Sequence, residues 1–161
     1  MSAVSSPNHR AGPAWRSKRL ILARASRYLG ALAVLGTGVA HIEQYAVDDY
    51  STVPTIGTLF LLNFIGAVVI AAGLVVPLGR VAGRYADAIR AVMAVGGIAL
   101  GALSLAALFV SESSGLFGFV EHGYRMAIVV AIVAEAAAVV FLVTFLVASG
   151  TGLQEIRRNS R

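Results

Sequence analysis

Glu135 is the only charged residue between Arg125 and Glu155, and it interrupts an apolar run long enough to cross a lipid bilayer. Counted from Tyr124 it lies about 11 residues, or roughly 16 Å of helix, into that run, near the middle of a hydrocarbon core. A carboxylate left facing lipid at that depth costs about 2.5 to 3.5 kcal/mol or more, so it is expected to face other helices. Asn63 stands at comparable depth in the run that begins at Pro54, and Thr37 is within reach in the run that ends at Tyr45. Glu135, Asn63 and Thr37 are therefore expected to form an intramembrane polar centre. Two chemistries are open to it. A neutral acid bonded to the Asn63 amide would fix helix register in a dry core. A titrating acid would carry protons or bind a cationic substrate. No second acid, Lys or Arg shares this depth, which favours the register role.

A second group of polar residues falls at the end of the first apolar run. Thr37, His41, Gln44, Tyr45 and Asp48 recur at helical spacing and so line one face. Such a stripe is expected to face other helices or a water-filled mouth. Glu121 and His122 precede the fourth run at similar height, and Glu43, Asp49 and Glu112 lie on the same side. His41, Glu43, Asp48, Glu121 and His122 are thus a possible outer-face ligand or proton site. Imidazole and carboxylate suit a divalent transition metal, and two histidines on different helices can hold haem from both sides. The spacing specifies neither, since there is no His-x-x-x-His and no cysteine. No cofactor is expected.

These residues must be positioned by membrane helices, because the charges leave room for little else. No charge occurs between Arg27 and Glu43, between Asp49 and Arg80, or between Arg90 and Glu112, and only Glu135 between Arg125 and Glu155. A hydrocarbon core about 30 Å thick takes roughly 20 apolar residues of helix, so each interval holds one span. The expected spans are 24–45, 54–78, 91–111 and 124–148. Of the 13 Lys and Arg residues, all but Arg125 fall in the N-terminal segment, the Arg80–Arg90 loop or the C-terminal segment. The positive-inside bias then puts both termini in the cytoplasm and the acidic loops outside. Residues 1–23 are expected to be a disordered basic cytoplasmic tail, with Trp15 as a headgroup-level anchor, and 149–161 a short polar one. Residues 16–40 also have the outline of a signal peptide ending in Gly38-Val39-Ala40. Cleavage there would leave three spans and carry the new N-terminus outside.

Composition agrees with an all-α, four-helix transmembrane bundle. Hydrophobic residues make up 58% of the chain and mean hydropathy is +0.81, beyond the roughly 45 to 50% apolar share of soluble domains. The net charge of +5 flanks spans rather than forming a domain of its own, which argues for contacts with anionic lipid headgroups and against a nucleic-acid partner. Without cysteine there is no disulfide framework or thiolate site. Gly97-x-x-x-Gly101 has the spacing that lets helix backbones approach closely, as do the stripes Gly30, Ala33, Thr37 and Ala131, Ala134, Ala138. Ordinary packing within the bundle explains them, and a homo-oligomer or membrane-protein partner is the alternative. Leu116-Phe117-Gly118-Phe119-Val120 reads as a segment lying on the outer leaflet or as a lid over the polar mouth.

His41 to Tyr45, then Tyr50, then Val53-Pro54-Thr55-Ile56-Gly57-Thr58-Leu59-Phe60-Leu61-Leu62-Asn63 resembles a stretch of small four-helix actinobacterial membrane proteins, and the layout is similar to DoxX-like membrane proteins. The resemblance implies a bacterial plasma-membrane protein and draws attention to His41, Pro54 and Asn63. It brings no catalytic residue. Arg in place of Lys almost throughout, with abundant Ala, Gly and Val, looks like high-GC coding and also points to bacteria. Phosphate loops, Gly-x-Ser-x-Gly and His-Glu-x-x-His are absent, and the Gly79–Arg90 loop is too short for a catalytic domain. The expected role is structural or accessory, with a place in a larger assembly left open. The alternatives are a proton-coupled small transporter or channel subunit using Glu135 and a metal- or haem-binding redox component.

Overall fold

The computed structural model describes the backbone of residues 13–47, 50–53, 55–117 and 126–159, and the side chains of these from 15 to 150. Four helices are present: α1 (Pro13–Val47), α2 (Ile56–Val75), α3 (Ala86–Ser113) and α4 (Met126–Asn159). There is no extended strand among the described residues. All four are long and apolar enough to cross a membrane, over Trp15–Val47, Ile56–Val75, Gly83–Ser113 and Met126–Gly150. Two short 3-10 turns, Leu78–Arg80 and Gly83–Tyr85, join α2 to α3, and a third, Tyr50–Thr52, leads into α2.

Helix α1 begins at Pro13, and α4 continues to Asn159, so helix occupies 13–23 and 149–159 where the sequence reading had tails. Proline suits a first helical turn, and the Arg, Lys, Leu and Ala that follow are strong helix formers. Gly150 and Gly152 each cost about 1 kcal/mol in a helix interior, but no proline follows to stop the chain.

Neighbouring helices run antiparallel in a ring. The start of α1 meets the end of α4 where Arg19 Nη2 donates to the Ala148 carbonyl at 3.2 Å. The end of α1 meets the start of α4 at His41 and Glu135. Each of α1 and α3 packs against both α2 and α4, so α1 faces α3, and α2 faces α4, across a diagonal. The end carrying the α1–α2 and α3–α4 connections is called the distal end below. At the other end Arg19 lies over Trp15, Arg27 over Tyr28 and Arg84 over Tyr85, each within 4.7 Å of the ring centre. Arginine stacked on aromatic rings is suited to a headgroup region.

The core is built from small residues and a few large ones. Leu142 of α4 is fully buried between two glycines, and a Cβ on Gly30 or Gly97 would stand 2.5 Å from its methyl carbons. Gly101 lies against the α4 backbone, where a Cβ would be 3.1 Å from the Glu135 carbonyl oxygen. The Gly97-x-x-x-Gly101 stripe therefore faces α4 of the same chain. Leu, Val and Ile on the outer faces are exposed, as with Leu103 at 70% and Val133 at 64%, which is the surface a bilayer requires.

Candidate functional site

Glu135 and His41, one residue from each of the two polar groups expected at separate depths, meet at the distal end. His41 Nε2 stands 3.8 Å from Glu135 Oε1, and both residues are buried. Helix geometry explains the meeting. His41 lies about 9 Å back from the end of α1 at Val47, and Glu135 about 13.5 Å past the start of α4 at Met126. Side chains lean toward the N-terminus of their own helix, so on antiparallel helices these two lean toward each other.

Ser104 of α3 joins them. Its Oγ lies 3.0 Å from His41 Nε2, and its hydroxyl also hydrogen-bonds the Glu135 side chain. Gly101 brings it there, because the close approach of α3 to α4 at that glycine puts the next turn of α3 beside Glu135. The other imidazole nitrogen, Nδ1, is 2.9 Å from the Thr37 carbonyl oxygen. A carbonyl only accepts, so Nδ1 carries a hydrogen and the neutral ring offers Nε2 as an acceptor. The ring makes an edge-to-face contact with Phe60, their centres 4.9 Å apart, and Phe60 is stacked on the buried Tyr50 at 5.0 Å. Gly57 lets the Tyr50–Thr52 turn close onto α2, since a Cβ there would stand 2.5 Å from the Tyr50 carbonyl oxygen.

This arrangement admits two protonation patterns with the same heavy atoms. In one, a neutral Glu135 donates to Ser104 Oγ while the Ser104 hydroxyl donates to Nε2. In the other, Nε2–H of a protonated His41 donates to Ser104, whose hydroxyl donates to the Glu135 carboxylate. The shift of two protons along the chain, from Glu135 to Ser104 and from Ser104 to Nε2, interconverts them. A cavity of about 80 Å³ opens beside the cluster, bordered by His41, Gln44, Ser104, Ser111 and Glu135 on its polar side. That is room for several waters along its polar side, the rest of the lining being apolar.

Asn63 takes no part in this cluster. Its Oδ1 is buried without a hydrogen-bond partner, and it does not border the cavity. The expected Glu135–Asn63 pair fails on topology: α2 lies diagonal to α4, and the helices flanking α4 supply His41 and Ser104 instead. Thr37 contributes through its backbone carbonyl, while its hydroxyl donates to Ala33 O at 3.3 Å. Glu43 is exposed, on the side of α1 away from buried His41 and Gln44. Asp48, Glu121 and His122 lie outside the described residues. Among the described residues no three His, Cys, Asp or Glu come together as a metal site. Of the proposed lid, Leu116 borders the cavity and Phe117 is exposed, while 118–120 lie outside the described residues.

Ser104 was missed, although its signal was present. It is the one polar residue between Arg90 and Ser111, and it follows Gly101 by less than one helical turn, on the small-residue face. No protein family, curated protein or solved structure matches the chain.

Proposed function

We propose that this is a small proton-coupled transporter or channel subunit in which Glu135, Ser104 and His41 handle the proton. One observation carries the reading: a buried acid and a buried imidazole are bridged by a hydroxyl on the polar side of an otherwise apolar cavity. An intramembrane acid that only fixed register would need a dry, closed surrounding, and the cavity supports proton handling instead. The Lys and Arg distribution supports a bacterial plasma-membrane location with both termini cytoplasmic, which makes the distal end the outer one. Anionic lipid headgroups at the arginine-rich end are the partners this reading calls for.

The test is flux through purified chain in liposomes with an imposed pH gradient and a trapped pH-sensitive dye. Proton movement above that of empty liposomes, lost in Glu135→Gln, is expected. Proton-coupled flux that survives Glu135→Gln would remove Glu135 from the mechanism.

A further inference from the structure

The polar side of the cavity is rich in acceptors. Gln44 Nε2 donates one hydrogen to the Ala40 carbonyl at 3.2 Å, which leaves the acceptor Oε1 and one N–H of its amide. His41 spends its Nδ1 hydrogen on Thr37, which leaves the neutral ring only the Nε2 lone pair, itself 3.0 Å from Ser104 Oγ. An ionised Glu135 accepts only. Among the described residues no Lys or Arg borders the cavity, and the rest of the described lining is apolar, with Phe60 and Ile128 among it. An anion would meet a carboxylate and acceptors there. A cation with N–H donors and a short apolar body would find a complement to both parts. The volume of about 80 Å³ is far below the roughly 300 to 1,000 Å³ of pockets for drug-sized ligands, so the guest has only a few heavy atoms.

We infer that this cavity binds a small primary alkylammonium ion, its ammonium group on Glu135 and Gln44 Oε1 and its alkyl group against Phe60, in exchange for the proton of Glu135. The inference rests on the reading of Glu135 as a proton site. The exchange is balanced: one RNH3+ enters, one H+ leaves the carboxyl group, and no bond of the amine is broken. Of the elements packed around Glu135, α1 brings His41, α2 brings Phe60 and α3 brings Ser104, so His41 is the one other titratable group among the described cavity residues. Proton and ammonium cannot both occupy the same carboxylate, and this mutual exclusion is what coupling between the two requires.

Calorimetric titration of the full chain in detergent with ethylammonium chloride tests this, with sodium propionate as the anionic counterpart. About one ethylammonium per chain is expected, with an affinity that falls roughly tenfold per pH unit on the acid side of Glu135 titration. Comparison of buffers with different ionisation heats should report about one proton released per ion bound, a readout on the unsubstituted chain. Gln44→Leu should weaken binding by about tenfold. Binding of propionate in place of ethylammonium, or ethylammonium affinity indifferent to both pH and Glu135→Gln, would overturn the inference. No ethylammonium binding by a chain whose liposomes still show Glu135-dependent proton flux removes the ammonium class and leaves proton handling. Ethylammonium binding with proton release, but without flux, keeps the site and removes the transport reading. The absence of both removes both.

Discussion

Glu135 and Leu142 lie one heptad apart on α4, both buried, and the space around them is filled in opposite ways. Leu142 sits against Gly30 and Gly97, whose missing side chains let its methyl groups fill the interior. Glu135 faces His41, Ser104 and a cavity of about 80 Å³. The same face of one helix thus closes the bundle toward the termini and opens it toward the distal end. Glycine is used for both: Gly97 admits a side chain, while Gly101 admits the α4 backbone and brings Ser104 to the acid. Close packing in the first half sets the spacing of the three helices that carry the second half's polar groups.

Several substitutions would break or sharpen that contrast. Glu135→Gln keeps size and hydrogen-bonding capacity but removes the titrating group, so proton flux should fall by about a hundredfold or more, the worth of a positioned proton-transfer group. Thermal unfolding of the detergent-solubilised variant should change little. Gly97→Ala should do the reverse. Its Cβ would stand 2.5 Å from Leu142 Cδ1 and 3.1 Å from Val34 Cγ2, both in the packed interior. Overpacking of that kind costs about 2 kcal/mol, visible as a lower unfolding temperature. If Gly97→Ala leaves the unfolding temperature unchanged, the terminal half is not the closely packed part.

Ser104→Ala removes the bridge and leaves His41 and Glu135 3.8 Å apart. Flux should drop by about tenfold, the order of one buried hydrogen bond, and Ser104→Thr should restore it. Equal flux in the alanine variant would mean that water, rather than Ser104, connects the two groups. The smallest effect is expected from Phe60→Leu, which loses the edge contact with His41 and the stack with Tyr50. Aromatic pairs are worth about 0.5 to 1.5 kcal/mol, so a few-fold change in flux with little loss of stability is the expected result.

The fold was legible because charge is costly in lipid: three charge-free intervals and a fourth interrupted only by Glu135 marked out four helices. Helix ends were less legible, since Pro13 to Ala23 and Gly150 to Asn159 continue as helix beyond the apolar stretch. Within the site, Glu135 and His41 were each singled out by type and position, but not as neighbours. Depth arithmetic used backbone levels and ignored that side chains on antiparallel helices lean toward one another. Asn63 matched Glu135 in depth, yet depth says nothing of which helices are adjacent, and α2 lies across the diagonal. Ser104 carried no charge and no motif, and only its place on the Gly97–Gly101 face marked it.

That His41, Ser104 and Glu135 act as one hydrogen-bonded unit is open to direct measurement by nitrogen-15 magnetic resonance of the histidine-labelled chain. The His41 signals are assigned by their loss in His41→Asn. At a pH where the ring is neutral, the expected spectrum has Nδ1 protonated and Nε2 as a hydrogen-bonded acceptor, with the Nε2 resonance moved by both Ser104→Ala and Glu135→Gln. A neutral ring protonated on Nε2, or an Nε2 resonance unmoved by either substitution, would contradict the shared proton.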